Sequence, residues 1–61
     1  MKQFCEKAKC DDGFEYEIWR RISYNGDYLY YAACRFTKTA LLGGCLFTDT
    51  EELKCVMNLP R

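Results

Sequence analysis

Two β-prone segments joined by a turn signal constrain the fold of this 61-residue chain more than any other feature. Residues 14–38 contain two runs rich in aromatic and β-branched side chains, separated by Asn25, Gly26 and Asp27. An Asn-Gly pair between two such runs is a strong short-range signal for a β-hairpin. We therefore predict that residues 14–38 form a hairpin against which the other segments pack.

The alternation of side chains along the two runs sets the predicted pairing. A three-residue loop at 25–27 places Tyr24 opposite Tyr28 and Glu17 opposite Arg35, which is a favourable cross-strand pair. Even-numbered strand residues, mostly apolar, then share one face of the sheet, and odd-numbered residues share the other. Arg20 is the exception in the even set, and it needs solvent or an acidic partner.

A third strand is predicted at residues 43–47, because a lone hairpin is barely stable in water. A helix is predicted at residues 49–57, where Thr48 and Asp49 each stand three residues before a glutamate, the spacing of a capping box. Asn58 is predicted at the left-handed position that ends the helix, and Pro60 prevents its continuation. Leu59 is predicted to fold back onto the helix.

These elements predict one small α+β domain over residues 1–61. Its order is β-β-β-α, a three-stranded antiparallel sheet with a short C-terminal helix packed on the even face. Residues 1–13 are polar and show no clear period, so we interpret them as an N-terminal arm.

The cysteines and the N-terminus indicate a reducing compartment. The segment that starts the chain has no apolar stretch of the signal-peptide kind, so we expect a cytoplasmic protein with reduced thiols. The five cysteines contain no Cys-x-x-Cys pair, and zinc sites usually need a close pair of ligands. We predict no metal and no cofactor, and interpret Cys34, Cys45 and Cys55 as small buried apolar side chains. A zinc-stapled or dimeric structural module stays open as an alternative.

The residue types argue against catalysis. The chain has no histidine, so Ser-His and Cys-His nucleophile pairs cannot form. Its glycines do not form a phosphate-binding loop. A chain this short cannot enclose a substrate pocket of several hundred cubic ångströms and keep a core. We predict that the protein is not an enzyme.

Binding functions remain, and the odd-numbered face is the candidate. It carries Trp19, Arg21, Tyr31 and Arg35, and aromatic residues with arginine are enriched at protein-interface hot spots. These four residues are the predicted partner-binding set. The alternative is that the arm at residues 1–13 folds over this face and buries Trp19 in a second small core.

The segment from Gly44 to Leu53, which reads Gly-Cys-Leu-Phe-Thr-Asp-Thr-Glu-Glu-Leu, resembles the strand-to-helix passage of two DNA-binding families. These are the plant AP2-type domain and the three-stranded N-terminal domains of some phage integrases. The resemblance implies a β-β-β-α fold whose sheet lies in the major groove. The chain departs from them in its strands, because it sets Arg21 and Arg35 against Glu15 and Glu17. No DNA-binding residue is carried over.

The sequence therefore favours a small interaction protein that occludes a site on a larger host protein or complex. Small inhibitors of the anti-CRISPR or anti-restriction kind, which phages and mobile elements encode, are examples of such proteins. The alternative is a DNA-binding accessory domain that uses Arg21 and Arg35 in the major groove. Formal neutrality disfavours nucleic acid, since small nucleic-acid modules are usually basic. No membrane partner is expected, and a homodimer stays open.

Overall fold

The structure, a computed structural model, describes residues 2–59 as three strands and one helix. Strand β1 spans Lys2–Lys9, β2 spans Glu15–Ile22, β3 spans Tyr28–Cys34 and helix α1 spans Thr50–Met57. The strands form one antiparallel sheet in the order β1-β2-β3. The predicted class is confirmed: an α+β fold of β-β-β-α type with one short C-terminal helix.

The third strand is not the one predicted. Residues 43–47 contain no strand; a tight turn at Leu42–Gly44 is followed by a single bridge between Phe47 and Tyr30. The third strand is instead β1, inside the segment interpreted as an arm. Leu42, Gly43 and Gly44 all have positive φ, which turns the chain away from an extended path and prevents a strand there.

The sequence of strand β1 does not show the alternation of apolar and polar residues expected of a strand, because β1 contains a β-bulge. Phe4 lies opposite Trp19 and Glu6 lies opposite Ile18, so Cys5 is the extra residue. A bulge shifts the side chains that follow it by one position. Phe4 therefore lies on the odd face of the sheet and Ala8 on the even face, although both numbers are even.

Both hairpins use the same three-residue turn. Cys10 N–H donates to Phe14 O (2.8 Å) in the first, and Ser23 N–H donates to Asp27 O (2.8 Å) in the second. Their third loop residues, Gly13 and Gly26, have φ of 93° and 92°. A type I turn followed by a left-handed residue has this form.

The predicted loop at 25–27 is wrong by one position, because it would place Asp27 where the turn needs a left-handed residue. The actual loop is 24–26, and Gly26 takes that position. Partners shift by two residues, so the division into even and odd faces survives. Glu17 lies opposite Ala33, and the ion pair predicted for Glu17 and Arg35 is made by Glu15 and Arg35 (2.9 Å).

Helix α1 covers part of the even face. Asp49 is its N-cap, and its carboxylate accepts from Glu51 N–H (3.1 Å). Asn58 has φ of −93°, so the predicted left-handed end is wrong, and Leu59 is exposed. Asn58 instead accepts from Asp11 N–H (2.9 Å), which ties the helix end to the first turn. Pro60 lies outside the described residues.

The core lies between α1 and the even face. It consists of six buried side chains, with Ala8, Tyr30, Leu41 and Phe47 packed around them: Cys10, Tyr16, Ile18, Ala32, Leu53 and Met57. Two cysteine predictions are wrong, since Cys45 and Cys55 are exposed, and Cys34 is half-buried. The buried cysteine is Cys10, whose thiol donates to Met57 O (3.3 Å).

The Tyr16 hydroxyl is the anomaly of this core. It is buried and has no hydrogen-bond partner within residues 2–59. Burial, as the main cause, raises the pKa of Tyr16 above 10.0. A buried hydroxyl without a partner carries a desolvation penalty that an apolar side chain of the same shape avoids.

We expect Tyr16→Phe to stabilise the protein by about 1 kcal/mol, because the variant removes only the unsatisfied hydroxyl. Urea unfolding followed by circular dichroism measures the change. Tyr24→Phe is the control, since Tyr24 is fully exposed on the hairpin loop and its stability should not move. A destabilised Tyr16→Phe would show that the hydroxyl has a partner in solution.

Candidate interaction face

The sheet face opposite α1, called the open face below, carries an aromatic row across all three strands. Phe4 of β1 lies opposite Trp19 of β2, which lies opposite Tyr31 of β3. Odd-numbered residues of β2 and β3 point to this face, and the bulge brings Lys2 and Phe4 to it. The row places side chains from distant parts of the chain side by side.

The rings of the row contact one another and nearby cations. Phe4 and Trp19 meet edge to face, with centroids 5.7 Å apart and planes at 84°. The Lys2 ammonium lies 5.8 Å from the Tyr31 ring centroid, within the range of a cation–π interaction. Phe4 is 48% exposed, whereas Trp19 and Tyr31 are half-buried.

Glu17, two residues before Trp19 on the same face of β2, holds the indole in place. Its carboxylate is buried and accepts from the Lys38 ammonium (2.9 and 3.0 Å) and from Trp19 Nε1–H (3.1 Å). These bonds, the Lys38 bond first, lower the pKa of Glu17 below 4.5. Because the carboxylate fixes the indole, Trp19 presents ring surface and no free donor.

The charges that remain on the open face are positive. Glu17 is paired with Lys38, and Glu15 is paired with Arg35. Arg21 forms no ion pair or hydrogen bond with its side chain in residues 2–59. The strand residues of this face include four cations and only the two paired acids: Lys2, Lys7, Lys9 and Arg21 against Glu15 and Glu17. A formally neutral chain thus has one basic face.

A small hollow lies at the basic end of this face. Its volume is about 150 Å³, and we call it the basic hollow. Tyr31 is the aromatic residue of its lining, and Gly44 contributes to its wall from the turn at Leu42–Gly44. Its lining residues are Lys2, Arg21, Tyr31, Ala40, Gly44 and Leu46.

The four residues predicted for partner binding separate into two places. Trp19, Arg21 and Tyr31 lie together around the aromatic row. Arg35 lies about 20 Å from Arg21, the length of six strand residues, and is bonded to Glu15. The sequence did not predict Lys2 and Phe4 as part of this face, because the bulge that brings them to it cannot be recognised from the sequence.

The N-terminal segment does not cover Trp19. Residues 2–9 pair edgewise with β2 and extend the sheet, and the Phe4 ring meets the indole edge to face. The alternative of a second core under a folded-over arm is therefore wrong for the described part of the chain. The open face gains width from β1 instead of being hidden by it.

A second, larger groove of about 580 Å³ lies near the second hairpin loop. Tyr24, Tyr28, Tyr30 and Thr48 are among its lining residues, and Asp27 is its only charged one. Its lining residues include no pair of acidic groups and no cation. Its residues give no chemical signature comparable to that of the basic hollow.

Cys34, the last residue of β3, has an unusual thiol environment that the following loop provides. Hydrogen bonds from the Thr37 backbone, the Thr37 side chain and the Phe36 backbone, in that order, lower its pKa below 9.0. No group of three or more cysteine, aspartate or glutamate side chains within residues 2–59 is arranged to hold a metal ion.

No protein-family model matches the chain, and no curated protein or solved structure matches it either. The likeness to AP2-type and integrase domains also fails locally, since Gly44, Cys45 and Leu46 form no strand before the helix. In residues 2–59, no helix has the length and apolar character needed to cross a membrane.

We expect Glu17→Gln to destabilise the protein at pH 7 and to lose this effect in acid. The folded pKa is depressed, so the ionised carboxylate stabilises the fold above about pH 4.5, and the contribution disappears as pH falls through the lower folded value. Urea unfolding between pH 7 and pH 2.5, followed by Trp19 fluorescence, measures the difference.

Glu15→Gln is the matched control for that series. Its carboxylate and the Arg35 side chain are both exposed, so the variant should cost less than about 1 kcal/mol at any pH. Equal losses in the two variants would contradict a special role for the buried carboxylate.

We expect Cys34 to be alkylated by iodoacetamide at lower pH than Cys34 in the Thr37→Val variant. The variant removes the side-chain hydrogen bond to the thiolate and should shift the rate profile towards higher pH. Peptide mass spectrometry quantifies each cysteine separately. Coincident profiles would show that the Thr37 hydroxyl does not stabilise the thiolate.

Proposed function

We propose that the protein is a non-enzymatic interaction module that binds a larger host protein or complex through the open face. It acts by covering a site on that partner in the cytoplasm, in the manner of small inhibitors encoded by phages and mobile elements. The observation that supports this proposal is the row of Phe4, Trp19 and Tyr31, with cations at its edge.

The composition of the open face matches that of protein-binding sites. Hot spots combine aromatic side chains and arginine near the centre of a contact surface. Trp19 and Tyr31 lie centrally, Phe4 is half-exposed beside them, and Arg21 is unpaired. The row needs no rearrangement to meet a partner, because Glu17 and the cross-strand contacts already fix it.

The arrangement of charges argues against a sheet that reads duplex DNA. That alternative needs Arg21 and Arg35 to act together in one groove, but the two lie about 20 Å apart along the strands. Arg35 also donates Nη1–H to Glu15, so part of its guanidinium is already engaged by an acid. A protein partner uses the compact group around Trp19 and does not depend on Arg35.

We expect tagged protein to capture a partner from lysate of the cells that carry its gene, in a manner resistant to nuclease treatment. Phe4→Ser should remove the captured protein, since Phe4 is the most exposed ring of the row. Phe36→Ser is the matched control, because Phe36 is 83% exposed in the loop after β3 and lies outside the row. Trp19→Ala should also abolish capture.

Two results would contradict the proposal. Equal capture by Phe4→Ser and Phe36→Ser would place the binding site elsewhere. Recovery of nucleic acid that is lost as salt rises would favour the DNA-binding alternative. Circular dichroism of each variant shows whether lost capture reflects unfolding.

A further inference from the structure

The sheet holds two cations opposite each other at one end of the open face. Lys2 and Arg21 are cross-strand partners of β1 and β2. Like charges placed directly opposite in a sheet destabilise it. Lys2 is partly accommodated by the Tyr31 ring, but Arg21 has no partner within residues 2–59. Folding alone does not explain why two positive charges converge here.

The acids of the same face cannot relieve this repulsion. Glu17 is held by Lys38 and Trp19, and Glu15 is held by Arg35. Both lie nearer the start of β2 than Arg21, and each bond would have to break before its carboxylate moved. An anion supplied from outside is therefore the electrostatic complement of Lys2 and Arg21.

The size of the basic hollow limits that anion. Its volume, about 150 Å³, is well below the roughly 300–1,000 Å³ of sites that enclose whole small molecules. A single acidic side chain fits this scale, whereas a nucleotide does not. Arginine binds a carboxylate through two parallel N–H bonds, and the free Arg21 guanidinium offers that fork.

The ring that lines the hollow argues against single-stranded nucleic acid as the source. Base stacking needs an open aromatic face. One side of the Tyr31 ring is already occupied by Lys2. The surroundings suit apolar side chains instead, since Leu46 lines the hollow and Leu29 lies opposite Arg21.

We propose that the basic hollow binds an aspartate or glutamate side chain from an acidic segment of the partner protein. Lys2 and Arg21 bind the carboxylate, and apolar residues next to it in the segment pack on Leu46, Leu29 and Phe4. This assignment rests on the proposed function and adds the chemistry of the partner.

The test is a titration of the full chain, labelled with nitrogen-15, with three probes. They are the peptide acetyl-Leu-Glu-Glu-Leu-amide, its counterpart with glutamine for glutamate, and an eight-residue thymidine oligonucleotide. We expect the acidic peptide to shift the amide signals of Tyr31, Gly44 and Leu46 and the side-chain Nε signal of Arg21. The shifts should weaken as salt rises, and the glutamine peptide should leave the signals unchanged.

Arg21→Gln and Arg35→Gln form a matched pair. The first should lower the affinity for the acidic peptide about tenfold or more, which is the loss expected when a hydrogen bond to a charged group is removed. The second should change affinity less than twofold, because Arg35 lies at the far end and is paired with Glu15.

The outcomes separate this inference from the proposed function. Any one of three results overturns the carboxylate site. The two peptides bind equally, Arg21→Gln leaves the affinity for the acidic peptide unchanged, or the acidic peptide shifts no signals. If capture of a protein through Phe4 persists in any of these cases, the proposed function still stands. Saturable oligonucleotide binding on the open face, with no signal shifts from the acidic peptide and no captured protein, overturns both.

Discussion

The left-handed residue at the third position of each hairpin turn is the constraint on which the sheet depends. Gly13 and Gly26 meet it, and their positions decide which residues of adjacent strands lie opposite each other. Moving either glycine by one position would change the cross-strand neighbours. The row of Phe4, Trp19 and Tyr31 exists because both turns and the bulge at Cys5 act together.

The buried Glu17 carboxylate connects this register to the loop beyond β3. It receives bonds from Trp19 on its own strand and from Lys38, which has a positive φ in the turn that follows Cys34. A buried carboxylate is tolerated only when its oxygens are bonded and its charge is paired. The same contacts fix the indole and orient the loop. The buried Glu17 carboxylate therefore determines how Trp19 is presented on the open face.

The sequence was sufficient for the fold class, the two faces of the hairpin and the helix near residue 50. Each followed from a strong local pattern: alternation along β2 and β3, and an acidic start before Leu53. Strand β1 could not be predicted, because a bulge divides its few apolar residues between opposite faces. The site was predicted in part for the same reason: Trp19, Arg21 and Tyr31 share a hairpin, but Lys2 and Phe4 join them only through long-range pairing.

The two outer edges of the sheet differ in how they meet other chains. Beyond β3, Ala40 and Phe47 each bridge to the strand, and the left-handed turn at Leu42–Gly44 lies between them, so that edge is partly closed. The edge of β1 has no such cover in residues 2–59, but it carries Lys2, Lys7 and Lys9 and is bent by the bulge at Cys5. Lysines and bulges are what natural proteins use to block edge-to-edge aggregation. The bulge that obscures β1 in the sequence is thus also a feature that disfavours pairing between exposed strand edges.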